Sequence, residues 1–287
     1  GGVFCRDPRG GGVCFTGSTD TARIINRQLA EKEGAIATLI AETGGQNAMI
    51  VDSTALPEQV VKDAVGSAFT SAGQRCSALR VLYVQRDIAD RVIELIKGAM
   101  AELKIGPTYL RENDLGPVID AEARDGLLAH IQQLKAEGKL IAEAKLPGSL
   151  NGHFVAPVAF EIGGIHELKK EQFGPVLHVV RFDAADLEKV VSDINATGYG
   201  LTLGVHTRNE ETAERIEALA RVGNLYVNRN QVGAVVGVQP FGGCGLSGTG
   251  PKAGGPSYLL RFVNERTTST NTTAVGGNAS LLSLGDD

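Results

Sequence analysis

Two side chains in this sequence could together carry out covalent chemistry on a carbonyl group. Cys76 lies in a small polar turn between Arg75 and Ser77, directly after an apolar stretch with helical periodicity. Glu42 closes an apolar run earlier in the chain. A cysteine thiolate can attack a carbonyl carbon, and a carboxylate can take a proton from water. The two residues therefore predict a covalent catalyst, provided that the fold brings them together.

The surroundings of Cys76 distinguish it from the other cysteines. A cysteine outside a disulfide is most often a small buried hydrophobe, and Cys14 fits that interpretation because it lies in an apolar strand. Cys5 and Cys244 remain undecided. Polar residues and a glycine surround Cys76, and the neighbouring Arg75 with exposed backbone amides would favour the thiolate. Cys76 is therefore the candidate nucleophile.

Other catalytic or metal-binding uses of cysteine and histidine find no support in the sequence. The five histidines carry no companion motif, and the papain-like cysteine signature cannot occur because the chain has no tryptophan. There is no Cys-x-x-Cys or His-x-x-x-His pair. The sequence therefore predicts no metal site.

The composition is that of a globular protein with a sizeable core. Its 287 residues are 43% hydrophobic and 21% charged, with a net charge of −5. There is no basic stripe, so we expect no nucleic acid to bind this segment. No apolar run approaches the ~20 residues that span a bilayer, and no signal peptide opens the chain. The four scattered cysteines favour a reducing compartment, and we expect a cytoplasmic location.

The first elements predict a unit that could bind an anion. A strand over 13–16 and a strand over 36–41 flank a helix over 19–33, and the turn before the helix is Gly17-Ser18. This is a βαβ unit, and the N-terminus of its helix is a natural anion site.

The later elements extend the same alternation, which predicts an α/β fold with a largely parallel sheet. A strand over 47–51 is followed by a helix from Pro57, with Ser53 and Thr54 as cap candidates. Further strands are predicted over 80–85, 176–182, 202–206 and 224–227, and further helices over 87–103, 121–137, 185–195 and 210–220. A Thr-rich, β-prone tail after Pro256 predicts an extended arm that needs a pairing partner.

Five short motifs, in matching order and spacing, resemble the NAD(P)-dependent aldehyde dehydrogenase superfamily. The resemblance runs from about residue 10 to the C-terminus, and its strength lies in the joint order because each motif alone is a weak signal. The motifs are Phe15-Thr16-Gly17-Ser18-Thr19, Glu42-Thr43-Gly44-Gly45-Gln46-Asn47, Gly73-Gln74-Arg75-Cys76, Glu171-Gln172-Phe173-Gly174-Pro175-Val176 and Pro240-Phe241-Gly242-Gly243.

Three further stretches narrow the resemblance to the L-glutamate γ-semialdehyde dehydrogenases, also called Δ1-pyrroline-5-carboxylate dehydrogenases. These stretches are 228–243, 76–78 and the tail over 265–282. They look most like the dehydrogenase half of bifunctional proline utilization A proteins. The resemblance implies oxidation of L-glutamate γ-semialdehyde to L-glutamate with NAD, in proline degradation.

The resemblance also implies roles for individual residues. Cys76 would attack the aldehyde to form a thiohemiacetal, which loses a hydride to NAD and becomes a thioester. Glu42 would activate the water that releases the acid, and the Cys76 N–H would contribute to the oxyanion hole. The positions implied for the cofactor are Gly17, Ser18, Thr43, Gly44, Glu171 and Phe173. Those implied for the substrate are Ser77, Gly233 and Ala234, where small residues let backbone N–H groups reach a carboxylate.

The resemblance further implies an α/β, aldehyde dehydrogenase-like domain organisation. Residues 1–45 would be the C-terminal part of a Rossmann-type NAD-binding domain, and 46–255 the catalytic thiol domain. Residues 256–287 would be a β arm through which the chain forms a homo-oligomer. A proline dehydrogenase domain could precede the chain, and FAD would belong to that domain only.

The sequence also departs from the family. The family's N-terminal portion, with an oxyanion-hole asparagine, an adenosine-binding lysine and the early strands, is missing, so we expect a fragment whose activity alone is doubtful. Thr19-Asp20-Thr21-Ala22 lacks a glycine that many relatives have, which leaves the choice of NAD or NADP open. Two alternatives also stay open: a dehydrogenase for another aldehyde, such as succinate semialdehyde, and a non-catalytic oligomerisation remnant.

Overall fold

Strands and helices alternate through most of the chain, as the sequence predicts. The structure is a computed structural model that describes residues 1–148 and 150–271. The strands of these residues are β1 (Gly12–Thr16), β2 (Thr38–Glu42), β3 (Ala48–Val51), β4 (Val81–Gln85), β5 (Leu140–Glu143), β6 (Val158–Glu161), β7 (Val176–Phe182), β8 (Tyr199–Gly200), β9 (Thr202–His206), β10 (Asn224–Val227) and β11 (Cys244–Gly245). The helices are α1 (Gly2–Arg6), α2 (Thr19–Glu31), α3 (Pro57–Phe69), α4 (Arg86–Ala101), α5 (Ala121–Ala136), α6 (Leu187–Ala196) and α7 (Glu210–Leu219). None of these helices is long and apolar enough to cross a membrane.

A seven-stranded sheet forms the centre of the fold, with the strand order β10-β9-β3-β4-β7-β6-β5. Neighbouring strands run parallel except β5, which is antiparallel to β6. The central strands are rich in apolar residues because both faces of the sheet are covered. Along β3, Met49 and Val51 belong to the core beneath α3, α4 and α5, whereas Ala48 and Ile50 belong to the core beneath α6 and α7.

A smaller sheet of β1 and β2 positions Glu42. With α2 these strands form the predicted βαβ unit, and they run parallel. The other edge of β2 is bonded by the segment after β11. Thr249 N–H donates to Ala41 O at 3.0 Å, and Thr43 N–H donates to Ser247 O at 2.9 Å. The end of β2, where Glu42 lies, is therefore held from both sides.

Several local features differ from the prediction. The N-cap of α3 is Leu56, which makes no side-chain capping bond, so the prediction of Ser53 or Thr54 as the cap is wrong. Thr54 instead closes a turn, where its N–H and its hydroxyl donate to Asp52 Oδ1 at 2.8 and 2.6 Å. The sequence does not predict β5 or β6 because each has only 4 residues, too few to show a clear period.

Cys14 and the C-terminal segment also differ from the prediction. Cys14 is exposed, so its interpretation as a buried hydrophobe is wrong; β1 lies at the edge of a two-stranded sheet. Within the predicted β arm over 256–287, the described residues 256–271 contain a short 3-10 helix at Leu259–Phe262 and no strand. Residues 272–287 of that arm lie outside the described residues.

Candidate active site

A cavity of about 1070 Å³ lies where the end of β2, the turn after α3 and the loop after β10 come together. Its lining includes every residue to which the sequence analysis assigns a catalytic, cofactor or substrate role. These residues are Gly17, Ser18, Glu42, Thr43, Gly44, Cys76, Ser77, Glu171, Phe173, Gly233 and Ala234. Residues that are distant in sequence thus line one large concave site, which makes this cavity the candidate active site.

The turn that carries Cys76 has an unusual backbone. After α3 ends, Ser71, Ala72 and Gly73 all adopt left-handed conformations, with φ of 57°, 53° and 66°. Such conformations are unfavourable for residues with a side chain and cluster at functional sites. At Gly73 a Cβ atom would lie 2.2 Å from the carbonyl oxygen of Gly174, so only glycine fits. The Cys76 turn is therefore strained and tightly packed against the segment after Glu171.

Asn47 ties this turn to the central sheet. Its Nδ2 donates to Cys76 O at 2.7 Å and to Ala78 O at 2.9 Å. Its Oδ1 accepts the N–H of Thr202, the first residue of β9, at 3.2 Å. Asn47 immediately precedes β3 and is buried, so the backbone of the nucleophile is fixed relative to two neighbouring strands. Asn47 belongs to a motif identified in the sequence, but the motif alone does not predict this role.

Arg80 is a functional candidate that the sequence analysis missed. Its side chain is 1% exposed, and its Nη2 lies 3.0 Å from Glu171 Oε1. The guanidinium also donates to the carbonyl oxygens of Gly73 at 2.7 Å, Arg75 at 3.1 Å and Gly174 at 3.2 Å. An arginine beside a run of strand residues is usually exposed at the strand's end, so no local signal separates Arg80 from a surface residue.

The thiol of Cys76 has a raised pKa, contrary to the expectation that its neighbours favour the thiolate. Burial is the main cause, and the carboxylates of Glu171 and Glu42 add to it. The backbone N–H groups of Cys76 and Ser77 act in the opposite direction but do not prevail. Arg75 does not reverse the balance, because it is exposed and its Nε donates to Ser71 Oγ at 3.2 Å. The protonated thiol therefore predominates near neutral pH.

Glu42 is placed to act as a base near neutral pH. Both of its carboxylate oxygens are buried without a hydrogen-bond partner in the described structure. Burial raises the pKa of Glu42 to about 7. The nearby N–H of Gly243, which does not form a hydrogen bond to the carboxylate, and the charge of Lys252 only partly oppose this. A general base works best when its pKa lies near the working pH. An unpartnered carboxylate that faces the thiol's cavity is suited to taking a proton from water.

The cofactor candidates surround the N-terminus of α2 and the loop after β2. Ser18 is the N-cap of α2 and accepts the Thr21 N–H at 3.1 Å. At Gly44 a Cβ atom would lie 2.0 Å from Glu171 Oε2, so this position must be glycine for Glu171 to keep its place. Phe173 is 44% exposed. A helix N-terminus suits a phosphate group, and the exposed ring with a nearby carboxylate suits a planar base and a ribose.

The substrate candidates line the same cavity. Gly233 has a φ of 82°, and within the described ranges the N–H groups of Gly233 and Ala234 donate no hydrogen bond. Two unpartnered backbone N–H groups beside the cavity can bind a carboxylate. Gln231, which the sequence analysis missed, anchors this loop: it is fully buried, and its Nε2 donates to the carbonyl oxygen of Ser77 at 3.4 Å.

In the described parts of the chain, no group of three or more His, Cys, Asp or Glu side chains could hold a metal ion. The candidate site therefore offers a thiol, carboxylates and backbone amides as its chemical groups.

Comparisons with known proteins agree with this chemistry. The model of the aldehyde dehydrogenase family matches residues 1–268. The chain is 54% identical over 275 residues to the bifunctional protein PutA of Klebsiella aerogenes, covering 93% of this chain and 21% of that protein. A crystal structure of a mutant Bradyrhizobium japonicum proline utilization A has a TM-score of 0.91 and 57% identity, covering 96% of this chain and 28% of that one. A 1-pyrroline-5-carboxylate dehydrogenase from Thermus with bound NAD has a TM-score of 0.83 and 37% identity, covering 90% of this chain and 50% of that one.

Proposed function

This chain belongs to the aldehyde dehydrogenase family, and we propose that it oxidises L-glutamate γ-semialdehyde to L-glutamate with NAD, a reaction of proline degradation. The observation that carries the proposal is the cavity that Cys76 and Glu42 both line, together with the cofactor and substrate candidates. A thiol and an unpartnered carboxylate in one site are what a thioester-forming aldehyde oxidation requires. The high similarity to proline utilization A proteins supports the choice of aldehyde.

The residues present fit a dinucleotide. The cavity exceeds the usual size of a small-ligand site, and the capped N-terminus of α2 reaches it through Gly17 and Ser18. Glycine at position 44 leaves room for the carboxylate of Glu171, and the exposed ring of Phe173 supplies a flat apolar surface. When bound, NAD would accept the two electrons and the hydrogen that the aldehyde carbon loses.

Cys76 would supply the nucleophile. Its sulfur forms a bond to the aldehyde carbon while the thiol proton passes to water, and the resulting oxyanion is stabilised by the backbone N–H of Cys76. The fixed turn supports this role, because Asn47 holds the carbonyl oxygen of Cys76 at 2.7 Å. Oxidation of the adduct leaves an acyl group joined to Cys76 as a thioester.

Glu42 would complete the reaction. Its carboxylate takes a proton from a water molecule, whose oxygen attacks the thioester carbon and displaces the Cys76 sulfur. The products are a carboxylate and the free thiol. A pKa of about 7 lets Glu42 accept the proton near neutral pH and release it again to solvent.

The far end of the aldehyde would be recognised by small residues. The N–H groups of Gly233 and Ala234 are available to the α-carboxylate of L-glutamate γ-semialdehyde, and the Ser77 side chain lines the same cavity. Backbone amides bind a carboxylate without a charged side chain. This pairing favours an aldehyde that carries a carboxylate at its far end over one that has none. Succinate semialdehyde, whose carboxylate lies one carbon closer to the aldehyde, tests the fit in length.

The chain spans about a fifth of the length of the bifunctional relatives that it matches. For the whole protein we propose an upstream proline dehydrogenase domain with FAD, a homo-oligomer formed through 256–287, and a cytoplasmic location. The domain boundaries at 45 and 255 are also proposals. The bifunctional nature of the PutA relatives, of which this chain matches about a fifth, supports the upstream domain.

The test of the proposal is aldehyde oxidation by the purified protein, followed by the absorbance of NADH. L-glutamate γ-semialdehyde should be oxidised with a higher kcat/KM than succinate semialdehyde, and Cys76→Ala should abolish the reaction. Lack of NADH formation with either aldehyde would contradict the proposed function, and a preference for succinate semialdehyde would contradict the proposed substrate.

A further inference from the structure

We infer that Arg80 is a positioning residue that holds Glu171 and the Cys76 turn in one fixed arrangement. It thereby couples the cofactor wall of the cavity to the nucleophile. The inference rests on the proposed function in one respect, namely that Cys76 is the nucleophile. No role for this arginine follows from the five sequence motifs, because Arg80 lies outside all of them.

The contacts of the Arg80 guanidinium join two separate segments. On the nucleophile side it donates to the carbonyl oxygens of Gly73 and Arg75, which precede Cys76. On the cofactor side it donates to the carbonyl oxygen of Gly174 and, through Nε and Nη2, to Glu171 Oε1 at 3.3 and 3.0 Å. The planar guanidinium of arginine can donate hydrogen bonds to several acceptors in fixed directions. A lysine ammonium on its flexible side chain cannot hold the same set of acceptors.

The backbone of Arg80 is fixed as firmly as its side chain. Its N–H donates to Asn47 O at 2.9 Å, and its carbonyl oxygen accepts the backbone N–H of His178 at 2.9 Å. The ring Nδ1 of His178 lies 2.9 Å from the same carbonyl oxygen. The backbone of Arg80 is therefore held immediately before the central strand β4, and its guanidinium reaches Glu171 and the Cys76 turn.

The charge of Arg80 matters because Glu171 is nearly buried. The Glu171 side chain is 13% exposed, and its other oxygen accepts the Gly45 N–H at 3.2 Å. Burial raises the pKa of Glu171, and Arg80 and the Gly45 N–H oppose this only in part. Without Arg80 the ionised form of Glu171, which prevails at the alkaline pH where the Cys76 thiol titrates, would act on Cys76 with no cation beside it. The ion pair thus shields the nucleophile from Glu171.

The experiment measures the rate of Cys76 alkylation by iodoacetamide as a function of pH, without aldehyde or NAD. Trypsin releases Cys76 in the peptide 76–80 of the parent and in the peptide 76–86 of proteins with Gln at position 80, where this cleavage site is lost. Mass spectrometry therefore separates Cys76 from the exposed thiols of Cys14 and Cys244 in every variant. In Arg80→Gln we expect the midpoint of the Cys76 profile to move upward by about one pH unit, a roughly tenfold slower reaction near neutral pH. The Cys14 and Cys244 peptides should keep their parent rates.

The double variant Arg80→Gln with Glu171→Gln gives the sharpest outcome. If Arg80 acts by pairing with Glu171, removal of both charges should return the midpoint most of the way to the parent value. Arg80→Lys keeps the positive charge but loses the planar fork, so the midpoint of its Cys76 profile should also rise, but by less than in Arg80→Gln. If Arg80→Gln does not fold, Arg80→Lys takes its place in the test. Arg86→Gln is the matched control, because this arginine is 58% exposed and paired with Asp183 on the surface.

An unchanged profile in a folded Arg80→Gln protein would overturn the inference, and so would a double variant that stays at the Arg80→Gln midpoint. The outcomes are separable from the proposed function. The parent and its variants could show the expected alkylation midpoints while the parent fails to oxidise aldehydes. That result would contradict the proposed function and leave the positioning role of Arg80 standing.

Discussion

The backbone of Gly242 lies against the carboxylate of Glu42: a Cβ atom at position 242 would be 2.5 Å from Glu42 Oε1. This contact gives a reason for a glycine in the Pro-Phe-Gly-Gly motif that the sequence alone does not provide. Glu42 can keep its buried, unpartnered position only while residue 242 has no side chain. The glycine therefore belongs to the machinery of the proposed base.

Substitution of Gly242 by alanine should displace Glu42 and slow thioester hydrolysis at least tenfold, because the new methyl group occupies the space of the carboxylate. Steady-state kcat for aldehyde oxidation measures the effect. Gly98→Ala is the control: Gly98 lies within α4, and a Cβ there would meet no atom within 4 Å. That variant should keep its activity and gain about 0.5–1 kcal/mol of stability. Equal activity in both variants would refute the role of Gly242.

Glu42→Gln should be more stable than the parent at alkaline pH. The pKa of Glu42 is about 7 in the folded protein, above its ordinary value of 4.5, so the folded state binds a proton that the unfolded state releases. The contribution of Glu42 to the free energy of unfolding is therefore fully present below pH 4.5, the ordinary pKa, and is lost as the pH rises through about 7. We expect the variant to gain on the order of 1 kcal/mol above that pH, allowing for solvent screening.

Urea unfolding of the Glu42→Gln variant at several pH values measures this gain. The exposed residue Glu112 provides a control, since Glu112→Gln should not change the pH dependence. A Glu42→Gln protein that is no more stable than the parent above neutral pH would mean that burial does not destabilise the ionised carboxylate of Glu42.

Asn47→Ala should destabilise the turn that carries Cys76. The substitution leaves the carbonyl oxygens of Cys76 and Ala78 without the Nδ2 donor, and we expect a loss of about 1–3 kcal/mol in the free energy of unfolding. Asn47→Asp should cost at least as much, because a carboxylate oxygen would face the two carbonyls. The exposed Asn151 serves as the control position, where alanine should change stability by less than about 0.5 kcal/mol.

His178 should make the protein sensitive to acid. It is fully buried, and burial lowers its pKa to about 3, so it stays neutral in the folded state while the unfolded chain takes up a proton below about 6.5. Its Nε2 lies 2.9 Å from Nε2 of His130. The free energy of unfolding should therefore fall by up to about 1.4 kcal/mol per pH unit as the pH drops from 6.5 towards 3.

A His178→Gln variant should lose this part of the slope, which urea unfolding at a series of pH values measures. His166→Gln, at an exposed position, should keep the slope of the parent. If the two variants show the same pH dependence, His178 is not the source of the acid sensitivity.

The sequence predicts the site better than it predicts what supports the site. The ordered motifs identify Cys76, Glu42 and Glu171, and these residues do line one cavity. The sequence does not predict the roles of Arg80 and Gln231, because the contacts of a buried polar side chain are made with residues that are distant in sequence. No pattern along the chain shows that a carbonyl or a carboxylate will face them.

The electrostatics of the thiol could not be predicted for the same reason. The sequence predicts that Arg75 and the backbone amides favour the thiolate, but in the fold Arg75 is exposed and two carboxylates lie near Cys76. Burial decides the sign of the pKa shift, and burial is a property of the tertiary structure. The α/β fold, by contrast, follows from apolar patterns that are local, and the long elements agree with prediction within a few residues.

The central claim is that Cys76 and Glu42 act in successive steps of one reaction, and trapping the intermediate tests it most directly. Glu42→Gln protein is mixed with L-glutamate γ-semialdehyde and NAD, quenched in acid and digested with trypsin. The account predicts NADH formed in an amount close to one per Cys76 and an acyl group on the peptide 76–80. Absence of the acyl group, or its presence on the Cys14 or Cys244 peptide instead, would contradict the account.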